Sequence, residues 1–168
     1  MILLSDEGEG EQSEDSLPLK VRDVMVREVI TVDENTAVKE AVDTMNQRAV
    51  GSLIILVNGK AKGIVTERDL LKRVIAQEKN VNTTKVKEIM TTPLRVVNPN
   101  TDLEEAVKLM FQNKIKKLAV VDTKQLVGIV TLTDIARYEP QMIRMLKQLT
   151  TKQETPKSIK KVIDYYIV

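Results

Sequence analysis

The sequence predicts an α+β fold: two copies of one β-α-β-β-α unit packed face to face as a pseudo-two-fold pair. Three observations carry this prediction. First, the chain repeats itself. A shift of 65 residues aligns Val21–Leu70 with Val86–Ile135 without a gap, and 16 of the 50 aligned positions are identical. Repetition at a fixed period is the mark of stacked structural units. Second, each copy passes through helical and strand-like apolar patterns in the same order. Third, a unit of about three strands and two helices is too small to bury both faces of its own sheet, so two units must cover each other.

The elements follow in order along each copy. A short segment ends at Met25 in copy one and Met90 in copy two. A strand comes next, over Val29–Val32 and Arg95–Val97. In the helix that follows, Ala37, Val38, Ala41, Val42 and Met45 share one face. In copy two Thr101-Asp102-Leu103-Glu104 has the form of a capping box that starts this helix. Two strands come after it, Leu53–Val57 and Lys62–Thr66, matched by Leu118–Val121 and Leu126–Thr131. Asn58-Gly59 joins the first pair, a strong hairpin signal because both residues tolerate positive φ. Copy two has Asp122-Thr123-Lys124-Gln125 there, a weaker turn. A last helix runs from Glu67 to Gln77, and from Leu132 to Arg137 or beyond.

The flanks differ in character. Residues 1–18 hold six acids and no Lys or Arg, with few apolar side chains. Such a stretch buries too little surface to offset the entropy of ordering, which predicts a flexible tail. The chain then divides into a first repeat (19–79), a second repeat (80–138) and a C-terminal extension (139–168). Met142, Met145, Leu146 and Leu149 give the extension a helical apolar stripe that Thr155-Pro156 interrupts. Ser158–Val168 suits either an amphipathic helix or a terminal strand.

Composition narrows the function. There is no Cys and no His. Thiolate nucleophiles, Ser-His and Cys-His dyads and the commonest metal ligands are therefore excluded. A carboxylate Mg²⁺ site remains open. No phosphate loop of the G-x-x-x-x-G-K-[ST] form is present, which disfavours nucleotide hydrolysis. The longest apolar run, Leu53–Val57, is too short for a bilayer, and Met1–Leu4 lacks the pattern of a signal peptide. Cytoplasmic location and no membrane contact are the expectation. The net charge of +2 places about +8 on residues 19–168, from 26 basic less 18 acidic residues. That is a mild excess, better explained by a solvated mixed-charge surface than by nucleic-acid binding.

The residues that point to chemistry sit where the last strand of each copy enters the last helix. Copy one has Gly63-Ile64-Val65-Thr66-Glu67-Arg68-Asp69; copy two has Gly128-Ile129-Val130-Thr131-Leu132-Thr133-Asp134. Thr-x-x-Asp is a capping box and suffices simply to start a helix. The same Asp can accept hydrogen bonds from the vicinal diol of a ribose, with Arg68 near a phosphate.

The doubled pattern, closed each time by G-[IV]-V-T-x-x-D-[LI], resembles a tandem CBS-domain pair (a Bateman module) in its stand-alone form. The resemblance covers Val21 to Tyr138. It implies a fold in which two β-α-β-β-α units face each other across their sheets, with adenosine ligands in one or both clefts between them. It implies that Thr66, Asp69, Thr131 and Asp134 face the ribose, with Arg68 and Thr133 near ribose or phosphate. It places the base of the Asp134 cleft against Val29, Ile30, Val50 and Gly51. For the Asp69 cleft it names Leu94, Ile115 and Lys116, with Lys117 at a position used for phosphate. Ile54 and Ala119 stand where many members carry Pro.

The expected role is a regulatory sensor, not an enzyme: it binds an adenosine nucleotide of the AMP, ADP or ATP type and signals to an effector protein. The nucleotide is a regulatory ligand, with or without Mg²⁺, and no cofactor is required. A homodimer is expected by resemblance. The alternative is a ligand-free interaction or nucleic-acid-binding protein that uses the basic body and the C-terminal extension.

Overall fold

The computed structural model describes residues 18–138; the predicted acidic tail and C-terminal extension fall almost entirely outside the described residues. Two lobes follow one another. The first holds β1 (Thr31–Asp33), helix α2 (Val38–Gln47), β2 (Ser52–Val57), β3 (Lys60–Thr66) and α3 (Glu67–Leu70). The second holds β4 (Val96–Val97), α4 (Leu103–Gln112), β5 (Lys117–Asp122), β6 (Gln125–Thr131) and α5 (Leu132–Tyr138). A short helix, α1 (Val21–Val24), precedes the first lobe and a 3₁₀ turn, Val86–Glu88, precedes the second. Each lobe has a three-stranded sheet whose first strand runs parallel and whose third runs antiparallel to the central one.

Strand alternation sets what each sheet covers. Leu53 and Ile55 point from β2 into the helix-side core of the first lobe, and Leu118 and Val120 do so from β5 in the second. Ile54 and Ala119, on the opposite strand faces, are also buried but belong to neither helix-side core. Both faces of the central strands are thus covered, as a sheet lying between a helix layer and a second repeat requires.

The leading segments are exchanged. Val21 and Val24 of α1 are buried in the core of the second lobe, with Val97, Met110 and Leu132. Val86 of the 3₁₀ turn and Ile89 just after it are buried in the core of the first, with Val38, Met45 and Leu53. The backbone repeats the exchange residue for residue. The Val21 and Arg22 amides donate to the carbonyls of Thr101 and Pro99, each at 2.9 Å. The Val86 and Lys87 amides donate to Thr36 (2.9 Å) and Glu34 (3.1 Å).

The same contacts correct the expected capping box at Thr101–Glu104. The N-cap of α4 is Asp102, with no side-chain cap hydrogen bond. The first free amide, on Leu103, instead donates to the Leu19 carbonyl at 3.1 Å, and the Asp102 carboxylate takes Lys20 Nζ at 2.7 Å. Helix α2 is capped alike, its Val38 amide donating to the Thr84 carbonyl at 2.9 Å. Incoming backbone therefore satisfies the helix starts, and Glu104 is left to pair with Lys108 one turn on.

The predicted strands and hairpins form with small shifts. The first strands begin later than expected, at Thr31 and Val96, although the Ile30 carbonyl still accepts the Ile54 amide. Asn58 and Gly59 take φ of +51° and +73°, the two left-handed residues of a two-residue hairpin. Thr123 and Lys124 adopt +46° and +67°, so the weaker sequence makes the same turn. The last helix of copy one is α-helical only to Leu70 and continues as a π-helical turn over Leu71–Ile75. Val42, expected on the core face of α2, is 37% exposed, whereas its counterpart Val107 is fully buried.

Candidate functional site

The site is built where β3 enters α3. The Thr66 amide donates to Asp69 Oδ2 at 2.9 Å, the Thr66 hydroxyl to the same oxygen at 2.8 Å, and the Asp69 amide returns to Thr66 Oγ1 at 3.3 Å. This is a complete capping box. It occupies only one carboxylate oxygen. Oδ1 turns the other way, with Thr91 Oγ1 at 3.3 Å and Arg73 Nη1 at 3.4 Å, both long contacts. Arg73 is itself fixed by donating to the Ile89 carbonyl at 2.7 Å. Capping and ligand binding are therefore compatible: one oxygen starts the helix, and the other is held only by the long Thr91 and Arg73 contacts on a side chain that lines the cleft described below.

Copy two builds the same device. The Thr131 amide and hydroxyl donate to Asp134 Oδ2 at 3.2 and 2.6 Å, and the Asp134 amide donates to Thr131 Oγ1 at 3.1 Å.

The glycine before each motif has a packing cause. A β-carbon at Gly63 would stand 2.6 Å from Met90 Sδ and 3.1 Å from the Thr91 carbonyl. At Gly128 it would meet Met25 Sδ at 2.7 Å and the Val26 carbonyl at 3.1 Å. The exchanged segment lies directly against the motif strand, where the Thr91 and Ile64 amides and carbonyls pair with each other. That contact carries Thr91 to Asp69.

A cleft of about 320 Å³ lies between the repeats at Asp69. Thr66, Arg68 and Asp69 enter it from copy one; Leu94, Ile115, Lys116 and Lys117 enter from copy two. All seven residues assigned to this cleft by resemblance are brought together. Gly51, expected at the Asp134 cleft, lines this one, because its carbonyl accepts the Glu67 amide at 3.3 Å and so holds the start of β2 beside the motif of its own repeat. Thr131, Thr133, Asp134, Val29, Ile30 and Val50 are not among its lining residues. Ile30 and Val50 pack against the core of the first lobe.

Sequence reasoning missed Thr91, Arg95, Lys114 and Glu67, which also line the cleft. Thr91 was hidden because only the segment exchange brings it to Asp69. Arg95 and Lys114 had a usable signal: each is a cation whose partner 65 residues earlier, Ile30 or Ala49, is apolar.

Lys117 is the crowded charge of the site. It sits opposite Thr131 in the β5–β6 ladder and is only partly exposed. Burial pushes its ammonium below the ordinary lysine range, and neighbouring Lys116 adds to this. The Glu67 and Asp134 carboxylates pull the other way, so Lys117 stands within reach of the motif segments of both repeats. Among the described residues no ion pair satisfies it. Nor do the described residues contain a cluster of three acidic side chains able to hold a metal ion, and no described helix is long and apolar enough to cross a membrane.

The chain matches the CBS-domain family twice, over residues 21–76 and 86–140. It is 42% identical over 116 residues to a CBS domain-containing protein, YhcV, of Bacillus subtilis, covering 69% of this chain and 82% of that one. It is 35% identical over 129 residues to the inosine-5'-monophosphate dehydrogenase of Methanocaldococcus jannaschii, covering 74% of this chain but 25% of the enzyme. Among solved structures, it is similar to the CBS domain pair of protein MJ0100 in complex with 5-methylthioadenosine and S-adenosyl-L-methionine. That match has a TM-score of 0.67 and 28% identity, and covers 74% of this chain and 98% of the other.

Proposed function

Since the chain belongs to the CBS-domain family, we propose that it is a regulatory sensor that binds an adenosine nucleotide in the cleft between its repeats and reports occupancy to an effector protein. One observation carries this reading. Thr66 and Asp69 of one repeat and Leu94, Ile115, Lys116 and Lys117 of the other line a single cleft, with one Asp69 oxygen free of the helix cap. In this reading Asp69 Oδ1 accepts from the ribose diol, the apolar Leu94 and Ile115 flank the base, and the lysines meet phosphate. The adenosine ligands of the MJ0100 pair support the ligand class. A regulatory rather than catalytic role fits a chain that matches only a quarter of the dehydrogenase. A soluble homodimer in the cytoplasm is part of the same proposal.

The test is thermal unfolding against a panel of adenosine ligands. A ligand present at a hundred times its Kd stabilises the folded form by about 2.7 kcal/mol, a rise of roughly 5–10 °C for a domain of this size. Asp69→Asn keeps an oxygen for the cap but replaces the second carboxylate oxygen by an amide nitrogen, and is expected to abolish most of that rise. A panel without any shift sinks the nucleotide reading.

A further inference from the structure

The two clefts of a repeated protein start as equivalents, and their charges show how far they have diverged. The cleft at Asp69 is lined by five cations (Arg68, Arg95, Lys114, Lys116 and Lys117) and two anions (Glu67 and Asp69), a balance of 5 − 2 = +3. Moving every lining residue by the repeat shift of 65 gives the counterpart set around Asp134. Arg68 becomes Thr133, Arg95 becomes Ile30, and Lys114, Lys116 and Lys117 become Ala49, Gly51 and Ser52. All five cations are lost from the aligned positions, and the nearest cation carried over is Lys117, whose ammonium feels the Asp134 carboxylate as well as Glu67. The one cation gained is Lys116, from Gly51; the anions are Glu28, from Pro93, and Asp134, giving 1 − 2 = −1.

A difference of four charges between the two aligned sets of residues favours phosphate on the Asp69 side, because charge-assisted hydrogen bonds to phosphate are among the strongest a site can offer. We infer that the Asp69 cleft is a polyphosphate site and the Asp134 cleft is not, so that each chain takes one polyanionic ligand, held by Lys116, Lys117 and Arg95. The crowding of Lys117 supports the assignment, since an ammonium with a lysine beside it and no ion pair among the described residues gains most from a phosphate. Adenosyl ligands that carry a positive charge are disfavoured there. This deepens the nucleotide reading and rests on it for the adenosine moiety alone.

The experiment is titration calorimetry on the full chain, in EDTA at low salt, with adenosine, AMP, ATP and inorganic tripolyphosphate. ATP is expected to bind about tenfold or more tightly than AMP, at one site per chain. In Arg95→Ala/Lys116→Ala, where both side chains are exposed, the gap between ATP and AMP is expected to close while the unliganded melting temperature stays unchanged. Equal affinity for adenosine and ATP, or two ATP per chain, would falsify the inference and leave the nucleotide reading standing. Tripolyphosphate binding at one site without any effect of adenosine would uphold the polyphosphate site and overturn the nucleotide reading. If nothing binds, both fall.

Discussion

Met25 and Met90 reach across the molecule to rest on Gly128 and Gly63, and the identical residues at these positions in both copies follow from that contact. Gly63→Ala is expected to destabilise by about 1–3 kcal/mol, as over-packing does when backbone stands in the way. The methionine can yield, whereas the Thr91 carbonyl is tied to Ile64. Urea unfolding of the single variant, of Met90→Ala and of the double variant checks this; the double variant should lose less than the sum of the singles. Lys117 gives a second expectation. Its folded-state pKa is depressed mainly by burial and by Lys116, against Glu67 and Asp134, so its charge opposes folding below the depressed value. That opposition fades as pH rises into the ordinary lysine range, where both folded and unfolded forms become neutral. Lys117→Met should therefore stabilise the unliganded protein at about pH 7 and have less effect at about pH 10, measured by urea unfolding at each. The Thr-x-x-Asp motif was legible because its geometry is local. Thr91 was not, because it meets Asp69 only through contacts between residues far apart in the chain.

The hairpins show how element-level signals succeed and fall short. Asn58-Gly59 announces its turn, and the turn forms. Thr123-Lys124 announces little, yet the strands it joins impose the same two left-handed residues. A β-branched Thr pays for that conformation, at roughly 1–2 kcal/mol per residue for the left-handed region. Replacing Thr123-Lys124 by Asn-Gly is expected to stabilise the protein by about 1 kcal/mol in thermal or urea unfolding. An unchanged or lowered stability would mean that the turn carries no such strain. The helix starts taught the opposite lesson. Thr101 and Glu104 had the spacing of a cap, but Leu19 arrived first at the Leu103 amide, and no local pattern reveals a cap supplied by distant backbone. The π-helical turn after Leu70 was equally silent, since its residues keep an ordinary helical composition.

At the scale of the whole molecule, repetition in the sequence identified the pair of units and their order, but not that each unit lends its opening segment to the other. Each core contains two buried aliphatic side chains from the far copy: Val21 and Val24 in one, Val86 and Ile89 in the other. Their burial contributes roughly 3–6 kcal/mol per core, comparable with the entire stability of a typical domain. Residues 1–79 and 80–168 produced separately are therefore expected to remain unfolded by circular dichroism, and to regain structure when mixed. Independent folding of either half would show that the exchange is dispensable. The stretch between Ala76 and Thr83 then has an unexpected role: mostly exposed, and touching the first lobe where Val81 packs on its core and accepts the Lys39 amide, it keeps the two halves at high effective concentration. A protease that nicks it should leave the particle assembled, because what holds the halves together is a mutual handclasp of buried valines and backbone hydrogen bonds, and a polypeptide with only one such unit would have to find a twin to close its core.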